Sequence, residues 1–282
     1  MRIAPILVAR TLTDLRDATA SLRASHGALA LVPTMGALHD GHRALVRAAV
    51  ASNAAVVTSI FVNPLQFGAA EDLSRYPRDE AGDLAILEAC GCALAWMPDV
   101  ATMYPPGDST TISLTGPAEN HEGAARPGHF RGVATVCAKL FGQVRPDRAY
   151  FGEKDWQQLQ VIRRMVEDLL LPLSIAGVET VRERNGLALS SRNRFLSEAE
   201  RARAPLLYAE LTAVARQLAA SGDAAGPLAK ARERLTHAGF DVEYFALVDG
   251  PTLVEIPRTA PGARLIAAAR LGSVRLLDNV AA

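Results

Sequence analysis

The chain has 282 residues, 49% hydrophobic and 21% charged, which is enough apolar mass for one large domain or two ordinary ones. Lys+Arg and Asp+Glu are equal at 30 each, and a net charge of zero argues against nucleic acid as the main partner. Three cysteines form no paired framework, and neither a cleavable leader nor a membrane-length apolar run is legible, so a soluble cytoplasmic protein with no membrane partner is expected.

In chain order, residues 11–25 predict a helix with Leu12, Leu15, Ala18 and Leu22 on one side and Thr11 or Thr13 as its cap. Residues 28–32 predict a buried strand, 43–52 an amphipathic helix and 55–62 a second strand, together a right-handed parallel strand–helix–strand unit. Both apolar runs are continuous, as in strands covered on two faces. Residues 71–77 read as a polar loop, 78–91 as a helix and 93–97 as a third strand. Cys90 and Cys92 have the wrong spacing for a zinc knuckle or a redox pair and suit core packing. Residues 103–120 are rich in Pro, Gly, Ser and Thr and read as a long loop, of the kind often kept for function. A helix at 133–141, a strand at 148–151, a helix at 156–170 and a strand at 174–181 follow. From Ser197 the texture changes to two Ala/Leu-rich helices, 197–220 and 226–238, and short strands at 242–248, 253–255, 264–271 and 273–278. The expected class is α/β, with a parallel-sheet domain over 1–184 and a smaller α+β domain over 185–282.

Residues with chemistry gather where strands end. Pro33-Thr34-Met35-Gly36-Ala37-Leu38-His39-Asp40-Gly41-His42 joins the first long strand to its helix. Gly36 and Gly41 let backbone approach a ligand, Asp40 is the expected cap, and His39 and His42 stand three apart at the helix entry. That combination predicts a phosphate site, with a metal site as the lesser reading because no third ligand lies nearby. Asn63-Pro64-Leu65-Gln66 follows the next strand, either as an ordinary turn or as amides that bind a small polar substrate. Arg126, His129 and Arg131 form a phosphate clamp or a solvated loop with equal weight. Gly152-Glu153-Lys154-Asp155 follows a further strand, with Gln157 and Gln158 in the next helical turn. Ser190, Ser191, Arg192 and Asn193 come after a glycine turn and are again phosphate-like ligands, though weak ones alone.

No Gly-x-x-x-x-Gly-Lys-Ser/Thr and no Gly-x-Gly-x-x-Gly is present. His39-Asp40-Gly41-His42 resembles the His-x-Gly-His signature of the nucleotidyltransferase and class I aminoacyl-tRNA synthetase superfamily. Leu189-Ser190-Ser191-Arg192 resembles that group's second loop, with Arg192 where a lysine is usual. These two segments, Phe61-Val62-Asn63-Pro64-Leu65-Gln66-Phe67 and Phe151-Gly152-Glu153-Lys154-Asp155 occur in the order and spacing of the pantoate–β-alanine ligase family, which the chain resembles through motifs over about its first two thirds and as a whole by length.

The resemblance implies a Rossmann-like N-terminal domain binding ATP and pantoate, a C-terminal lid domain and a homodimer. It implies a two-step reaction in which pantoate and Mg-ATP give pantoyl adenylate, which β-alanine then converts to pantothenate. It carries catalytic roles to His42, as proton donor, and to His39 and Lys154. ATP contacts fall on Met35, Gly36, Ala37, Leu38, His39, Asp40, Gly41, His42, Gly152, Glu153, Lys154, Asp155, Val181, Leu189, Ser190, Ser191 and Arg192. Gln66 and Gln158 carry over to pantoate, Gln66 also to β-alanine, and Asp83 either to the magnesium ion or to a supporting place behind the ligands. Three rivals are weaker. A cytidylyltransferase leaves Gln66 and Gln158 unexplained, a tRNA synthetase needs a basic surface, and a nucleotide sensor has no need of the histidines or Lys154.

Overall fold

The computed structural model describes residues 5–67 and 76–282; most of the loop expected at 71–77 lies outside them. In chain order the strands and helices are β1 (Leu7–Ala9), α1 (Leu12–His26), β2 (Leu29–Thr34), α2 (Asp40–Val50), β3 (Ala55–Ile60), α3 (Glu80–Ala89), β4 (Leu94–Trp96), α4 (Val100–Met103), α5 (Glu122–Ala125), α6 (His129–Val144), β5 (Arg148–Gly152), α7 (Trp156–Asp168) and β6 (Ser174–Val178). Then come α8 (Glu198–Arg203), α9 (Leu206–Ser221), α10 (Ala225–His237), β7 (Phe240–Asp249), β8 (Ala263–Leu271) and β9 (Val274–Ala281). They divide into two compact units.

The first unit runs through Leu114 and adds Arg126–Glu153 and Val161–Glu179. Its six strands are all parallel, in the order β1-β4-β3-β2-β5-β6. The α/β parallel-sheet class is therefore as expected. Leu29, Ala30, Leu31 and Val32 of β2 are all but fully buried, which is why that run is continuously apolar. Cys90 and Cys92 pack into the core beside Val46, Leu87 and Ala95. From β2 the sheet grows one way through β3 and the other way through β5. Strand order reverses there, and in such sheets ligands bind beyond the carboxyl ends at that reversal. The turns after β2 and β5 are the histidine turn and the one that begins at Gly152. Thr11 caps α1, its hydroxyl accepting from Asp14 N–H while Asp14 accepts from Thr11 N–H. Sequence reading did not anticipate β1, whose three residues are too few for a periodic signal; it pairs with β4.

The second unit comprises Thr115–Ala125, Lys154–Gln160 and Thr180–Ala282. Its sheet is antiparallel, β7-β8-β9. Alternation sorts the strands: Phe245, Leu247, Leu265 and Ala267 pack with Leu211, Val214 and Leu235 of α9 and α10. The opposite face, Tyr244, Ala246, Val248 and Ile266, packs with Leu253 and Trp156. Two expectations need correction. The helix expected at 197–220 is two helices, because Pro205 lacks an N–H and ends α8 before α9 begins. Residues 253–255 are not a strand: Leu253 has φ +61°, outside the extended region, and only Glu255 bridges to Val248.

Candidate active site

The turn after β2 is tightly specified. Gly36 and Ala37 both have positive φ, +83° and +51°. Asp83 on α3 fastens them: its Oδ2 accepts from Ala37 N–H at 2.9 Å and its Oδ1 from Leu38 N–H at 2.7 Å. A β-carbon on Gly36 would sit 2.9 Å from Asp83 Oδ2, so glycine is required for space as well as for φ. The helix that follows is capped by His39 and not by the expected Asp40, which is the first helical residue and pairs with Arg43. His39 Nδ1 accepts from Gly41 N–H at 3.1 Å, and His42 Nδ1 accepts from His39 N–H at 3.2 Å. Two histidines thus form a reciprocal capping box. A backbone N–H only donates, so each Nδ1 is a lone pair and each neutral ring carries its proton on Nε2. The ring centres are 4.2 Å apart. A helix N-terminus with two imidazole N–H donors beside it suits an anionic oxygen.

Asp83 is 3% exposed. Burial pushes its carboxyl above its ordinary value, against the lowering effect of the two N–H donors, and Asp79 adds a smaller upward push. A raised folded pKa means that the neutral form is favoured in the fold. Asp83 therefore stabilises most below its unfolded pKa and loses that contribution as pH rises through the folded one. Asp83→Asn is expected to destabilise by about 1–3 kcal/mol, because its amide N–H₂ faces one of the two backbone donors. The gap to the parent protein should narrow as pH rises across that window. Urea melts at a series of pH values check both the size and the sign; a gap that widens would contradict the assignment.

Beyond β3, Asn63 is wholly buried and fully engaged. Its Oδ1 accepts from Leu65 N–H at 3.2 Å and from the Tyr104 hydroxyl at 2.7 Å. Its Nδ2 donates to Gly132 C=O at 3.1 Å and to Gln66 Oε1 at 2.8 Å. Because Leu65 N–H can only donate, the Asn63 amide has one orientation, and Gln66 is fixed with Oε1 toward Asn63 and its N–H₂ as the remaining donor. Helix α6 presses onto this turn so closely that a β-carbon on Gly132 would lie 2.1 Å from Leu65 O. The expected clamp residues also serve it. Arg126 Nη2 and His129 Nδ1 both reach Gln66 C=O, at 3.3 and 3.0 Å, and Arg126 Nη1 lies 3.1 Å from His129 Nε2. His129 is therefore the Nδ1–H tautomer, and the pair braces Gln66, whereas Arg131 is exposed.

In the second unit, Lys154 and Asp155 lie in one turn of 3₁₀ helix, with Nζ 3.5 Å from Asp155 Oδ1. Of the two following glutamines, Gln157 is buried and structural. It accepts from Glu122 N–H at 3.0 Å and donates to Pro117 and Asn120 carbonyls at 2.8 and 2.7 Å. Gln158 is half-buried, and its side chain makes no hydrogen bond among the described residues. Val181 and Leu189 are brought together by Leu189 N–H donating to Val181 C=O at 3.0 Å, across a turn closed by Gly186 N–H to Glu183 C=O. Ser190 then caps a 3₁₀ turn by accepting from Arg192 N–H at 3.2 Å, and the buried Asn193 donates to Ala188 C=O. Arg192 is exposed.

Residues 35–42, Gln66, Asp83, Gly152 and Glu153 thus belong to the first unit, and Lys154, Asp155, Gln158, Val181 and residues 189–192 to the second. Sequence reasoning missed Tyr104, which holds Asn63 from the loop after α4; a lone Tyr in a Pro/Gly-rich stretch carried no signal of it.

A family model described as pantoate-beta-alanine ligase matches residues 7–281. The pantothenate synthetase of Granulibacter bethesdensis is 62% identical over 275 residues, covering 97% of this chain and 96% of that protein. The crystal structure of pantothenate synthetase from Thermus thermophilus superposes with a TM-score of 0.92 at 47% identity, over 98% of this chain and 99% of that one. A pantoate-beta-alanine ligase from Francisella tularensis, complexed with beta-gamma ATP and beta-alanine, gives a TM-score of 0.82 at 31% identity over 98% and 97% of the two chains.

Proposed function

This chain is an ATP-dependent ligase that belongs to the pantoate-beta-alanine ligase family, and we propose that it joins pantoate to β-alanine through a pantoyl adenylate. In the first step a carboxylate oxygen of pantoate attacks the α-phosphorus of ATP and pyrophosphate leaves. In the second the β-alanine amine attacks the acyl carbon, the amide bond forms and AMP leaves. The observation that carries this reading is the double-histidine cap of α2, which fixes two imidazole Nε2–H donors at a helix N-terminus.

Charge accumulates on phosphate oxygens during adenylation, so preorganised donors and cations lower the barrier most. His39, His42, Lys154, Ser190, Ser191 and Arg192 supply these, with His42 as the proton donor. Gln66, its acceptor side already occupied by Asn63, donates to pantoate and lies near β-alanine, and Gln158 completes the pantoate contacts. Magnesium is assigned to the incoming nucleotide as Mg-ATP. Among the described residues no three His, Cys, Asp or Glu side chains come together to hold a metal, and both Asp83 oxygens already serve the turn. The proposed setting is cytoplasmic, and among the described residues no helix is long and apolar enough to cross a membrane. A homodimer is the proposed assembly, checked by light scattering.

The test of the reaction class is its nucleotide product. ATP with pantoate should yield pyrophosphate, and addition of β-alanine should release AMP and pantothenate. A steady yield of ADP and phosphate would replace the adenylate with an acyl phosphate. For the substrate end, Gln66→Ala is expected to weaken pantoate binding by about 1.5–3 kcal/mol, the worth of one hydrogen bond to a charged group, and to spare ATP. Gln66→Glu should weaken it further, since a carboxylate oxygen replaces the N–H₂ donor. Calorimetry with each substrate separates the two; equal losses for ATP would move Gln66 to the nucleotide site.

A further inference from the structure

Lys154 lies far from the chain end in sequence, yet the last strand holds it. Asn279 on β9 is 3% exposed and donates from Nδ2 to the Lys154 carbonyl at 2.9 Å. Its Oδ1 accepts from Nε of Arg264 on β8 at 2.6 Å. A guanidinium only donates, so this contact fixes which end of the amide faces Lys154. The Arg264 guanidinium lies 3.6 Å from the centre of the Trp156 ring, two residues beyond Lys154. Trp156 in turn donates from Nε1 to Gly250 C=O at 2.8 Å. Behind Asn279, its own N–H donates to Asp278 Oδ1, and both oxygens of Asp278 receive Arg182.

We propose that Asn279 is a positioning residue for adenylate formation, fixing the main chain at Lys154, and that Arg264 sets Asn279. The proposal rests on the reading of Lys154 as a phosphate ligand. A lysine ammonium sits on a flexible four-carbon stem, so its aim depends on where its backbone is anchored. Its neighbour Asp155, at 3.5 Å, is a loose partner that does little to fix it. The anchor therefore comes from the sheet, through one amide hydrogen bond and one stacked guanidinium flanking the residue.

Asn279→Asp is the discriminating variant. It keeps the shape and the acceptor for Arg264 but turns an oxygen toward the Lys154 carbonyl. Single-turnover adenylate formation should slow about tenfold to a hundredfold, the usual consequence of a misplaced catalytic group. The second half-reaction, from preformed pantoyl adenylate and β-alanine, should keep its rate. Asn279→Asp should add nothing in a Lys154→Ala background. Equal slowing of both half-reactions, or an effect that adds to that of Lys154→Ala, would mean that Asn279 supports the fold generally and would overturn the proposal. Slow adenylation in Lys154→Ala with normal adenylation in Asn279→Asp would overturn the positioning role alone. Normal adenylation in Lys154→Ala would remove the reading it rests on, and the proposal with it. Should Asn279→Asp fail to fold, Arg264→Lys, which keeps the charge and loses the stack on Trp156, is expected to show the same split between half-reactions.

Discussion

Replacing His42 with asparagine is expected to slow formation of pantoyl adenylate by about a hundredfold or more, the usual loss for one donor to transition-state charge. Asparagine is the informative choice. His42 Nδ1 accepts the N–H of His39, so His42→Ala removes half of the α2 cap together with the Nε2–H donor. A lost cap costs about 0.5–2 kcal/mol of stability. The Asn Oδ1 stands in for Nδ1 and keeps the cap, while the Nε2–H is lost. His42→Asn should therefore melt close to the parent protein and still be slow. In the second half-reaction it should also lose rate, since His42 is the residue assigned to protonate the departing AMP. Single-turnover rates with thermal melts on both variants decide the matter. Normal adenylation in folded His42→Asn would reduce the histidine pair to a helix cap.

Lys154→Met should be as slow in adenylation, by about a hundredfold, and for a different reason. Methionine keeps most of the apolar stem and removes only the ammonium. The charge that grows on the phosphates then loses its cation, whereas ground-state binding of ATP, shared among many donors, changes less. Supplied with preformed pantoyl adenylate, Lys154→Met should turn it over with β-alanine at close to the parent rate, because no triphosphate charge remains to be stabilised. A variant slow in both half-reactions would place Lys154 in the architecture of the second unit instead.

The parallel sheet and the histidine turn were legible because their signals are local. Continuous apolar runs mark β2 and β3, and the glycines and histidines fall between them within ten residues of sequence. What escaped depends on partners remote in the chain. Asp40 is the better cap by propensity, yet His39 takes the position because His42 completes the box. For Asp83 the resemblance leaves a magnesium ligand and a supporting residue both open, and only the fold brings it to the N–H groups of Ala37 and Leu38, 46 and 45 residues earlier. Arg126 and His129 were visible as a pair, but not their shared target, the Gln66 carbonyl. The orientation of Gln66 follows from Asn63, which is set in part by Tyr104, 41 residues beyond Asn63. Leu253 broke an expected strand through a single backbone angle that its side chain does not announce.

The most direct test is the path of oxygen from pantoate. With both carboxylate oxygens of pantoate labelled with oxygen-18, attack on the α-phosphorus leaves one labelled oxygen bridging acyl group and phosphate. When β-alanine displaces AMP, that oxygen departs with the phosphate. Mass spectrometry should therefore find AMP carrying one oxygen-18 and pyrophosphate carrying none. Unlabelled AMP, with the label in inorganic phosphate or pyrophosphate, would contradict adenylation.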